Sequence, residues 1–197
     1  MKKLFFGGLL AAALLTGAVE IPMVSDVKSA HAWINLNTYK QSDSRWGSDI
    51  MAGSITIASE GCVITSIANG LSGNALGFPS TGEIITPKNL NSWLKANGGY
   101  NSSAALYWDK IVQINPNRIT FNGRYYNHAD LSNSTLKSYL DAGNKLILAN
   151  VANGAHWVAL STHNTVDSYV VSDPATPGRS SYNYSEFVGY AVYTLAP

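Results

Sequence analysis

Lys145-Leu146-Ile147-Leu148-Ala149-Asn150-Val151, Ala152-Asn153-Gly154 and Ala155-His156-Trp157-Val158-Ala159-Leu160-Ser161 follow one another without a break, and their reading decides the fold. The first run is short and apolar, as in a central strand. Asn153-Gly154 is a hairpin turn signal, so the third run is expected to return beside the first as an antiparallel partner. Asp167 to Ser172 reads as a further strand that stops at Asp173-Pro174, and Gly189 to Leu195 as the last one. The final third of the chain is therefore expected to form an antiparallel sheet.

Upstream the signals are helical. Ser59-Glu60-Gly61 reads as a polar turn leading into Cys62, and Val63, Ile64, Ile67 and Leu71 recur at helical spacing until Gly70 to Gly73 break the pattern. A second helix is expected from Thr86 as N-cap and Pro87 as first helical residue, with Leu90, Trp93 and Leu94 on its apolar face and Asn97-Gly98-Gly99 at its end. A third is capped by Asn133 or Ser134, runs through Leu136, Tyr139 and Leu140, and stops at Gly143.

Between helices the pattern is weaker. Ile111 to Ile114 and Arg118 to Phe121 read as short strands joined by Asn115-Pro116-Asn117, with Asn122-Gly123 as a second turn. His128 is placed in a polar surface loop. Trp33 to Tyr39 reads as an extended arm, and Lys40 to Gly47 as a loop plugged by Trp46. Helices first and an antiparallel sheet later is an α+β order. Neither an internal repeat nor an internal linker divides the chain.

The N-terminus has the pattern of a secretory signal peptide. Lys2 and Lys3 precede an apolar run from Leu4 to Val19, and Ala30-His31-Ala32 is an A-x-A cleavage pattern. That run, about sixteen residues, is short for a span of roughly 20. Residues 1–32 are thus expected to be removed, leaving residues 33–197 as one secreted domain that begins at Trp33. Three basic and two acidic residues leave with the leader, so ten of each remain. A balance so even is not built for nucleic acid or for anionic membrane after cleavage.

One cysteine in an exported chain cannot form an internal disulfide, so Cys62 is either buried packing or kept for reactivity. At a helix N-terminus the macrodipole and free N–H groups favour a negative charge on its sulfur. Gly61 is expected to clear space beside the sulfur for a substrate. If the strands before Asp173 and after the Asn153-Gly154 turn pair as a hairpin, His156 and Asp173 meet at one end. Asp173 would then fix the imidazole tautomer and leave the other ring nitrogen for Cys62. Each residue also has an ordinary explanation: a packing cysteine, a satisfied strand histidine, an Asp-Pro turn. His163 is an alternative base in the loop between strands. One cysteine and four scattered histidines show no metal-ligand spacing.

Four blocks in order carry a resemblance. They are Gln41, Asp43, Arg45, Trp46 and Gly47; then Gly61, Cys62, Thr65 and Ser66; then Gly154, His156, Trp157 and Val158; then Ser172, Asp173 and Pro174. From about Tyr39 onward the chain resembles the papain-like cysteine peptidases, nearest to stand-alone exported relatives of the bacterial peptidases that trim bacteriocins at double-glycine leaders. The resemblance implies a papain-like α+β fold, with the nucleophile's helix packed on the C-terminal sheet. It implies Cys62 as nucleophile, His156 as general base and acid, Asp173 as its orienter, and Gln41 as oxyanion-hole donor beside the Cys62 N–H. It implies peptide or protein substrates and no cofactor. Two alternatives stand beside it: the same triad acting on peptidoglycan peptides as a wall amidase or endopeptidase, and a secreted binding module without turnover.

Overall fold

The computed structural model describes residues 34–164 and 167–197, so the expected signal peptide, its cleavage site and Trp33 lie outside the described residues. From Ile34 the chain runs without regular structure to the loop at Lys40. A small hairpin follows, β1 (Ile50–Ala52) and β2 (Ile55–Thr56), then a single helical turn, α1 (Ile57–Glu60). Next come α2 (Cys62–Gly73), α3 (Pro87–Ala96), β3 (Ile119–Tyr125) and α4 (Asn133–Asp141). The rest is mostly strand: β4 (Lys145–Val151), β5 (His156–His163), β6 (Ser168–Ser172), β7 (Ser181–Asn183) and β8 (Gly189–Leu195). The fold is α+β, built on a six-stranded antiparallel sheet of order β3-β8-β4-β5-β6-β7.

β4 is central because both of its faces are covered. Leu146 and Leu148 join one core cluster with Ile64, Ile67 and Leu71 of α2. Ile147, Ala149 and Val151 join another with Leu136 and Leu140 of α4. That is why its sequence is a continuous apolar run instead of an alternating one. α2 and α4 thus cover opposite faces of the sheet. Each of these Leu and Ile side chains is 1% exposed or less, and burying one stabilises the fold by about 1.5–3 kcal/mol.

Several local readings change. α2 ends at Gly73, within the stretch expected to break it, with Gly70 inside the helix. A Cβ on Gly70 would lie 2.3 Å from Leu146 Cδ1, so this glycine lets the helix approach β4 closely. Ser59 and Glu60 are helical, not a free turn, because Thr56 and Ser59 form a reciprocal cap that starts α1. Residues 111–114 belong to a three-ten helix, Trp108–Ile114, whose Ile111 and Ile114 face the core at helical spacing. Asn122-Gly123 is no turn: β3 runs through it, and Gly123 at φ 147° sits where the β3–β8 register shifts. Positive φ serves a bulge as well as a turn. The α4 cap is Ser132, whose Oγ accepts the Thr135 N–H, one residue before the expected position. The Thr86 cap with Pro87 stands as read. Asn153-Gly154 does connect β4 to β5, but within a three-ten turn, Ala152–Gly154, with positive φ at all three residues.

Candidate active site

Cys62 is the first residue of α2, so its N–H belongs to the group that a helix leaves without an intrahelical partner. α2 is placed by a row of buried polar side chains. Ser66 Oγ donates to the Trp157 carbonyl at 3.1 Å, fastening the helix to β5 one residue past His156. Asn69 Nδ2 donates to Ser172 Oγ at 3.0 Å, beside Asp173, and to the Tyr39 carbonyl. Ser172 Oγ donates in turn to the Asn37 carbonyl. Buried polar groups bonded in this way fix register as apolar packing alone does not.

β5 and β6 pair antiparallel, with Ala159 opposite Ser172 and Leu160 opposite Val171. His156 and Asp173 therefore come to one end, and His156 Nε2 lies 2.8 Å from Asp173 Oδ1. With Nε2 taken by Asp173, Nδ1 is the ring nitrogen left over, and the Cys62 side chain is the second group that acts on the imidazole. Hydrogen bonds to Asp173 and then to Cys62 outweigh partial burial and raise the His156 pKa to about 9. Asp173 is 5% exposed. Burial alone would push its carboxyl up, but bonds from His156 and from the Arg179 and Ala175 N–H groups bring it down to about 2. Tyr182 Oη adds a fourth bond, donating to Oδ2 at 3.2 Å. The Tyr182 hydroxyl is pushed up to about 12, by burial first and by the Asp173 charge second, so it remains a donor.

Gln41 enters from the N-terminal loop. Its Nε2 donates to the Ala58 carbonyl at 2.9 Å, in the helical turn just before Cys62, while its Oε1 is buried without a partner among the described residues. The loop is tied to the aspartate as well. Gln41 N–H donates to the Pro174 carbonyl and Lys40 Nζ to the Asp173 carbonyl. Trp46, 2% exposed, plugs the loop as expected and donates from Nε1 to the Lys40 carbonyl. Gly61 does not clear space for a substrate. A Cβ there would lie 2.4 Å from the Ile57 carbonyl oxygen, so the residue is set by the close approach of Ile57 where α1 is capped.

Cys62 lines a groove of about 500 Å³ together with Glu60, Met51, Leu106, Trp108 and Trp157. The other described histidines are elsewhere. His163 closes β5 rather than sitting in a loop, and pairs with Asp141 at 3.2 Å. His128 opens a three-ten turn, with its ring 4.4 Å from that of Tyr184. Among the described residues no three His, Cys, Asp or Glu side chains group to hold a metal ion.

Two contributors escaped the sequence reading. Asn150 is a buried amide within the apolar β4 run, and its Nδ2 donates to the carbonyls of Gly154 and His156, holding the turn that delivers the histidine. A polar residue in an otherwise apolar strand was the available signal. Tyr182 lies in a strand too short to read. Comparison with protein-family models, curated proteins and solved structures gave no match.

Proposed function

We propose that this protein is a secreted thiol hydrolase of papain-like type that cleaves peptide bonds through an acyl-enzyme. The observation that carries the reading is the position of His156 between Cys62, at the start of α2, and the buried, four-times hydrogen-bonded Asp173. With its pKa raised to about 9, His156 is an imidazolium at neutral pH and stabilises a thiolate beside it. The sulfur attacks the scissile carbonyl carbon as the carbonyl electron pair moves to oxygen. The Cys62 N–H and the second hydrogen of Gln41 Nε2 are the donors for that oxyanion. Collapse of the adduct breaks the C–N bond, and His156 gives its proton to the departing amine. Water then attacks the thioester, passing a proton to His156 and releasing the acid and the thiolate.

Incubation of the folded protein with a thiol-directed peptidyl inhibitor, followed by mass spectrometry, tests the reading. One adduct at Cys62, lost in His156→Ala at neutral pH, is expected. Absence of labelling until denaturation would return Cys62 to a packing role.

A further inference from the structure

Glu60 is the one charged side chain among the described residues that line the groove at Cys62. It is exposed, and no ion pair among the described residues engages its carboxylate. The Arg124 guanidinium lies 4.5 Å from the Trp157 ring and 5.8 Å from the Trp108 ring, and both tryptophans line the groove. Arg124 is held there, donating to the Tyr125 and Tyr190 carbonyls. The two rings thus already have a cation of the chain against them, and within the groove lining Glu60 is where a further positive charge is welcome.

The remaining rim does not compete for that carboxylate. Ser103, Ala104 and Ala105 carry small side chains, and their loop is pinned by Asn101 Oδ1, which accepts the N–H groups of Ser103 and Ala105 at 2.9 Å each. We infer that Glu60 makes the groove selective for peptides that present an amine or guanidinium beside the scissile bond. This rests on Cys62 being the nucleophile. Such a cation has two sources, a lysine or arginine of a protein chain and the free amine of a diamino acid in a wall peptide.

Hydrolysis of paired substrates tests the inference. Linear peptides with lysine scanned across the scissile bond, and stem peptides with a free diamino-acid amine, are each compared with their N-acetylated forms. Acetylation removes the charge and keeps the chain. Wild type is expected to favour the amine form by roughly threefold to tenfold in kcat/KM, from within the range of an exposed ion pair to somewhat above it. E60Q should bring the ratio near one and E60K below it; the scaffold that is cleaved identifies the source. Equal ratios in wild type and E60Q overturn the inference. A second readout needs no turnover: E60Q should lower the rate at which a cationic methanethiosulfonate labels Cys62 relative to an anionic one, and an unchanged ratio is again fatal. A folded Cys62 that reacts with neither reagent overturns the hydrolase reading itself, and this inference with it.

Discussion

β5 carries a histidine at each end, and each is paired with an aspartate. His156 Nε2 lies 2.8 Å from Asp173, with side-chain exposures of 17% and 2%. His163 Nε2 lies 3.2 Å from Asp141, with exposures of 25% and 38%. The residue types are the same and the settings are not. Asp141 ends α4 at the surface, where water competes for the pair. Asp173 is shut in, and both of its oxygens are bonded: Oδ1 by His156 and the Ala175 N–H, Oδ2 by the Arg179 N–H and Tyr182. Only the first histidine has the chain's single thiol as its other partner. A His–Asp pair becomes a candidate for catalysis through a fixed carboxylate and a third group to act upon.

Removing the groups from each end of β5 in turn should separate the two pairs. Cys62→Ala or His156→Ala is expected to lower hydrolysis by about 10⁴-fold or more, whereas His163→Ala should retain near-wild-type rates. Equal losses at both histidines would erase the distinction. Next in size, Asp173→Ala should reduce kcat by about 10³–10⁴-fold with the circular dichroism spectrum intact; Asp141→Ala, assayed in parallel, should change it by less than about twofold, as for other surface substitutions.

Gln41→Ala should cost about 10²–10³-fold in kcat if its amide serves the oxyanion. A rise confined to KM would move Gln41 into substrate binding. The pH profile sharpens the contrast differently. A His156 pKa raised to about 9 predicts a fall in kcat/KM as pH rises through about 9, where the proton for the leaving amine is lost. The same raised value means that the pair's contribution to stability is complete below about 6.5, the ordinary histidine value, and is lost as pH rises through about 9. Asp173, lowered to about 2, contributes fully above about 3.8 and loses its contribution as pH falls through about 2. Thermal unfolding followed across pH reads both limbs. The smallest effect belongs to Tyr182→Phe, which removes one bond to a carboxylate and should lower stability by about 1–2 kcal/mol in chemical denaturation.

What was legible in the sequence had local causes. The apolar run at Lys145–Val151, the Asn153-Gly154 turn and the Asp-Pro stop placed β4, β5 and the end of β6, and with them the meeting of His156 and Asp173. The Thr86-Pro87 pair located α3 for the same reason. What was not legible depended on distant neighbours. Gly70 reads as a helix breaker, yet Leu146 fills the space of its missing side chain. Gly61 likewise answers to Ile57 and not to a substrate. Ile111 to Ile114 is a short apolar run of the kind in which strand and helix periods cannot be told apart. Asn150 and Tyr182 act through bonds to residues whose position only the folded sheet defines.

The last strand of the chain lies inside the sheet, not at its edge. β8 is bonded to β3 on one side and β4 on the other, so β3 reaches the rest of the sheet only through Gly189–Leu195. Closing these pairings joins segments far apart along the chain, which slows folding. A chain emerging N-terminus first has all of Cys62, His156 and Asp173 in place before Gly189–Leu195 arrives to complete the scaffold around them. Loss of those seven residues would therefore split the sheet in two, parting β3 from the strands that hold His156 and Asp173.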